Sequence, residues 1–153
     1  MLPATGADGH ATLLARLHIR DRVAARRQID RMLAWSAERI VLAHQGRRLY
    51  HAGDSAYFGG FKEIGERLRP EIALLPIGAY RPEAFRDVHM GPEEAVKAFR
   101  DLRAKWLVPM HYGTFRLSFE DMEEPPRWLH DIARREGIAR HVHFLEEGMP
   151  AVF

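Results

Sequence analysis

Apolar positions in this chain follow two rhythms. Ile72-Ala73-Leu74-Leu75-Pro76 and Trp106-Leu107-Val108-Pro109-Met110 are short unbroken apolar runs, as expected of strands covered on both faces. Arg39-Ile40-Val41-Leu42-Ala43 is a third such run and ends at His44. The tight turn Gln45-Gly46-Arg47-Arg48 pairs it with Leu49–Ala52 as a hairpin. Val142-His143-Phe144-Leu145 is read as a last strand before Glu146-Glu147-Gly148. The second rhythm is helical. Asp21 caps a helix to about Trp35, with Val23, Ile29, Leu33, Met32 and Trp35 as its apolar stripe. Phe61 to Leu68 is a short helix stopped before Pro70. Gly91-Pro92-Glu93-Glu94 opens another, with proline in the first turn and acids at the positive dipole end; Ala95, Phe99 and Leu102 face inward. Trp128 to Arg135 is the last, closed by Gly137. Loops fill 55–60, 77–90 and 117–126. The alternation of strands with helices predicts a layered α/β architecture.

Composition narrows the chemistry. At 153 residues one domain is the default, and 46% apolar with 29% charged residues is ordinary for a globular protein. No run of about 18 apolar residues is present, so no membrane span is expected. Met1–Gly6 has neither the charged nor the apolar region of a secretion signal, so the expected location is the cytoplasm, or the surface of a membrane. The absence of cysteine excludes disulfides, thiolate metal sites and cysteine nucleophiles; any metal must be held by His, Asp or Glu, and nine histidines are available. The net charge is only +2, with many arginines before Arg48. Asp21, Asp30 and Glu38 interleave with them, which favours a solvated helix face over a nucleic-acid surface. Residues 1–47, an arginine-rich helix plus strand, thus differ in character from 48–153, which carry the loops.

Two strand ends stand out. Leu49-Tyr50-His51-Ala52 runs into Gly53-Asp54-Ser55, and Trp106–Met110 runs into His111-Tyr112-Gly113-Thr114. Carboxylates and imidazoles at the C-terminal mouths of strands in α/β folds commonly hold metals or ligands. Taken alone, each residue is better explained by ordinary turn chemistry.

Taken together, Gly53-Asp54-Ser55-Ala56-Tyr57, Leu75–Tyr80, His89-Met90-Gly91-Pro92-Glu93-Glu94-Ala95, His111–Phe115 and Glu124-Pro125-Pro126 resemble the C-terminal half of metallo-β-lactamase-fold hydrolases. The resemblance is narrowest to the group that hydrolyses N-acylphosphatidylethanolamines as phospholipases D, and it covers about Arg48 to Phe153. It implies half of an αβ/βα sandwich, truncated or rearranged, with a mixed sheet and flanking helices. It also implies one or two zinc ions. Asp54 matches the bridging aspartate of the family's Gly-Asp-Thr motif, and His111 matches the last metal histidine. His89 would face substrate or donate a proton. Tyr80, Tyr112 and Thr114 would lie on the substrate side. The substrate implied is a small-molecule or lipid phosphodiester attacked by metal-activated hydroxide. Tyr57, Phe58, Tyr80, Phe85, Phe115 and Phe119 would line an apolar channel or, equally, be core aromatics.

One departure is large: the family's His-x-His-x-Asp-His motif is absent, and with it four ligands. His44 is the remaining candidate upstream of Asp54. With Asp54, His111 and His44 the chain supplies about enough ligands for one ion. Two alternatives therefore stand beside the phosphodiesterase: a catalytically incomplete fragment or interaction module, and a lactonase. The missing half would leave one face of the sheet bare, which predicts a homo-oligomer or a partner subunit.

Overall fold

The computed structural model describes residues 40–44 and 46–153. The helix expected over 21–35 lies outside the described residues, as do the side chains of Ile40 and His44. Four strands form one sheet in the order β1 (Ile40–His44), β2 (Arg47–His51), β3 (Ile72–Pro76) and β4 (Trp106–Met110). The expected hairpin is present, with β1 antiparallel to β2 and Leu42 opposite Leu49. β2 and β3 run parallel, as do β3 and β4, with Tyr50 beside Ala73 and Ala73 beside Leu107. Parallel pairs need crossovers, and helices α1 (Gly60–Leu68) and α2 (Pro92–Asp101) sit in them. Helix α3 (Glu124–Arg135) follows β4.

Tyr50, Ala73, Leu75 and Leu107 share one face and are fully buried against Phe61 of α1, Ala95 and Phe99 of α2, and Leu129 and Ile132 of α3. α1 meets the end of α2 at Gly65, where a β-carbon would lie 2.2 Å from the Asp101 carbonyl oxygen. Only a residue without a side chain fits there. The other face carries Leu49, His51, Ile72, Leu74, Trp106 and Val108. Val108 is buried and the others are half-buried, where a bare face is expected.

Three boundaries differ from expectation. α3 begins at Glu124, not Trp128, because Pro125 and Pro126 occupy its first turn, where a missing N–H costs nothing. The 77–90 loop contains a 3-10 turn at Glu83–Asp87. Val142–Leu145 is not a strand. A 3-10 turn at Ala139–His141 delivers the chain to β4 at one point only, a bridge of Val142 to Leu107 with the His143 N–H bonded to the Leu107 carbonyl at 2.9 Å. His143 and Phe153 then pack around Trp106, with ring centroids at 4.7 and 6.2 Å. Edge-on and tilted aromatic contacts, rather than ladder pairing, anchor this tail.

Gly65→Ala should destabilise the fold by about 1–3 kcal/mol, as over-packing against fixed backbone does. Urea unfolding of the two chains measures it.

Candidate metal centre

The site is assembled where the parallel strands end. Past β2, the Ala52 N–H still bonds the Leu74 carbonyl at 3.0 Å. Gly53 then turns into the left-handed region, φ 66°, and Asp54 follows with its side chain about half exposed. Past β3, the Ile77 N–H bonds the Met110 carbonyl at 3.0 Å, which carries the chain alongside β4. A β-carbon on Gly78 would lie 2.4 Å from the His111 carbonyl oxygen, so glycine is required for this approach. His111 itself has φ 60°. His89 leaves the 3-10 turn, its N–H bonded to the Phe85 carbonyl at 2.8 Å. Fully buried Met90 follows it, and then helix α2, where the Glu94 carboxylate accepts the Gly91 N–H at 3.0 Å.

These three turns bring Asp54, His89 and His111 together. His89 Nε2 is 3.0 Å from Asp54 Oδ1, and His111 Nε2 is 3.6 Å from Asp54 Oδ2. The two imidazoles stack at 5.5 Å, 25° from parallel. One ligand atom from each residue lies within 4.8 Å of the others. A tetrahedral ion about 2.0–2.2 Å from its ligands would space them about 3.4 Å apart, so the three side chains would have to close slightly around it. The Nδ1 atoms of His89 and His111 are buried and have no hydrogen-bond partner among the described residues. The polar contacts of both rings are thus made on their Nε2 sides, toward Asp54. A donor set of one carboxylate and two imidazoles suits zinc and similar divalent ions.

The remaining expected site residues separate. Tyr112 lies beside His111 on one cavity wall together with Gly78, Phe115, Arg116 and Leu117. Burial, and then the nearby Glu123 charge, push its phenol above its usual range. Thr114 instead donates its hydroxyl to Glu147 at 3.3 Å. Tyr80 lies in the core: it is fully buried, packs edge-on against Trp128 at 5.5 Å and donates its hydroxyl to Glu124 at 2.8 Å. The apolar channel is not formed as a unit. Tyr57 and Phe58 pack on Phe61 at 5.7 and 4.6 Å, Phe85 lies 6.2 Å from the His89 ring, and Phe115 and Phe119 are exposed. His44 closes β1, but its side chain is outside the described residues.

Glu120 is a buried carboxylate that the sequence did not single out. Its Oε1 accepts the Ala79 N–H at 2.6 Å, its Oε2 accepts the Arg81 N–H at 3.2 Å, and the Ser118 hydroxyl donates to it. Burial raises its pKa, but these hydrogen bonds outweigh burial and leave it below the usual range. Glu120 thereby holds Ala79 in the left-handed region, φ 65°, beside Gly78 and the His111 carbonyl. With Ser118 and Glu120 turned inward, Leu117 and Phe119 are turned out. That alternation, visible in the sequence, reverses the usual apolar-in pattern and was the available signal.

The sequence model of the beta-lactamase superfamily domain matches residues 7–112. A UPF0173 metal-dependent hydrolase of Rubrobacter xylanophilus is 40% identical over 71% of this chain and 40% of its own length. Igni18, a metallo hydrolase of the archaeon Ignicoccus hospitalis, superposes with a TM-score of 0.56 at 34% identity, over 71% of this chain and 42% of its own. An isothiocyanate hydrolase from Delia radicum gut bacteria shares the fold, with a TM-score of 0.60 at 22% identity, over 74% of this chain and 42% of its own. The mixed sheet, its flanking helices and the strand-end residues define a metallo-β-lactamase-type α/β fold. This chain belongs to the beta-lactamase superfamily, and its matches cover between 25% and 40% of the length of the curated relatives.

Because Glu120 has a lowered folded-state pKa, it stabilises the fold above its unfolded pKa, near 4.3, and loses that contribution as pH falls through the folded value. Glu120→Gln should therefore lower the melting temperature most at pH 7. The gap should narrow below about pH 4, as wild-type Glu120 becomes protonated. Melting curves at pH 3.5–7 check it.

Proposed function

We propose that this chain carries the metal-binding half of a zinc-dependent hydrolase, with Asp54, His89 and His111 as protein ligands and phosphodiesters as substrates. The observation that carries this reading is the convergence of the three ligand atoms within 4.8 Å. Three ligands with one open position is the usual arrangement of a catalytic zinc. A bound divalent ion would supply Lewis acidity and a water nucleophile acidified to near neutrality.

The protein's own residues do the rest. Asp54 points an oxygen at each imidazole, at 3.0 Å from His89 and 3.6 Å from His111. Its exposed side leaves the centre open to a ligand from solvent. Tyr112 and Phe115 form the apolar part of the wall next to His111, and the exposed Arg116 lies on the same wall. A guanidinium beside His111 favours an anionic phosphodiester over a neutral lactone. The phospholipase D-type resemblance of the Gly53-Asp54-Ser55 and His111–Thr114 segments points to the same substrate class.

A second reading has its own support. Among the described residues only these three group as metal ligands, and the match covers only 40% of the length of the Rubrobacter relative. The chain is then a half-domain, whose half-buried sheet face around Leu49, Ile72 and Leu74 pairs with a second copy or a partner subunit.

Elemental analysis separates the two readings. We expect about one zinc per chain, lost in Asp54→Ala, His89→Ala and His111→Ala alike. Zinc-dependent hydrolysis of bis(p-nitrophenyl) phosphate should fall at least a hundredfold in each variant. Zinc retained in all three variants overturns the ligand assignment. Zinc bound without turnover of phosphodiester or lactone, together with a sedimenting mass above 17.6 kDa, identifies the half-domain.

A further inference from the structure

Asp54 owes its place to the turn before it, and that turn has a polar prop that the chemistry described so far does not use. His51 is the last residue of β2 and lies on the half-buried face of the sheet. Its Nδ1 accepts the Gly53 N–H at 3.0 Å. An acceptor at Nδ1 requires a neutral imidazole with its proton on Nε2. Burial supports this state by pushing the imidazole pKa below its usual range. The contact closes a side-chain ring from residue i to the amide of residue i+2, as Asx turns do. It falls where Gly53 adopts φ 66°, and on its other side Ala52 is fixed by the Leu74 carbonyl. The strand therefore holds Ala52, and the imidazole holds Gly53. Between them they fix the direction in which the Asp54 carboxylate leaves the sheet.

We propose that His51 is a positioning residue for the metal ligand Asp54, acting through its Nδ1 hydrogen bond to the Gly53 amide. It does not touch the ion. The proposal rests on the reading of Asp54 as a ligand and adds to it a residue that sets ligand geometry. The substitutions that separate packing from positioning follow from the shape of the contact. Asn places an acceptor oxygen at the δ position and rebuilds the i to i+2 ring. Gln moves that oxygen one bond outward. Leu fills similar volume with no acceptor.

The test uses the full chain with zinc alone as the probe. Binding is followed by calorimetry, and amide exchange at Gly53 is followed by NMR in the metal-free protein. His51→Leu should weaken zinc binding about tenfold or more, within the range of outer-shell losses, and should speed exchange at Gly53. His51→Asn should restore zinc affinity to within about threefold and protect Gly53 again; His51→Gln should do neither. If His51→Leu does not fold, the Asn and Gln pair decides alone. Wild-type affinity in His51→Leu or His51→Gln despite fast Gly53 exchange overturns the positioning role and leaves the metal centre intact. A wild-type chain that binds no zinc overturns the metal reading, and the positioning role with it.

Discussion

Each of the three parallel strands runs out into a left-handed residue: Gly53 after β2, Ala79 after β3 and His111 after β4. This backbone constraint orders the site. A left-handed residue reverses the chain sharply, so whatever it carries or precedes is displayed at the edge of the sheet. Gly53 adopts the conformation without strain. Ala79 and His111 do so at a cost of roughly 1–2 kcal/mol each. Such strain persists only where neighbouring structure over-determines it, and functional sites are where it concentrates.

The neighbouring structure here is polar. Glu120 accepts the amides on either side of Tyr80 and keeps Ala79 in place, while the Tyr80 hydroxyl is held by Glu124. The Arg86 guanidinium pairs with Glu94 and stacks over the Tyr80 and Trp128 rings at 5.6 and 6.0 Å. The 77–90 loop that ends in His89 is thus tied at one end to the loop before α3 and at the other to the first turn of α2. A carboxylate buried without such donors would be costly. Glu120 has three, so its burial stabilises the loop junction.

The core elements were legible because their signals are local and redundant. β3 and β4 are unbroken apolar runs and fall at the expected residues, and the Pro92-Glu93-Glu94 start of α2 states its own cap. Asp54 and His111 were legible from strand ends, and the structure brings them together. The misreadings arose where tertiary contacts override local pattern. Val142–Leu145 has strand composition, but Trp106 draws His143 and Phe153 into an aromatic cluster and the ladder stops at one bridge. Tyr80 resembles a site aromatic in sequence, yet the Glu120 anchor beside it turns the ring into the core. The approach of His89 to Asp54 is not legible either, because nothing in its own segment reveals that the loop folds it there.

The two oxygens of Asp54 decide how many ions this chain can hold by itself. Oδ1 faces His89 and Oδ2 faces His111. If the carboxylate bridged two ions, each would have one oxygen and one imidazole, two protein ligands apiece, which is one short of the usual minimum for a catalytic zinc. If one ion sits between the three residues, it has a complete set of three and an open position. On the proposed ligand reading, it is the ligand count that favours a single ion. A second ion would need ligands from beyond the described residues.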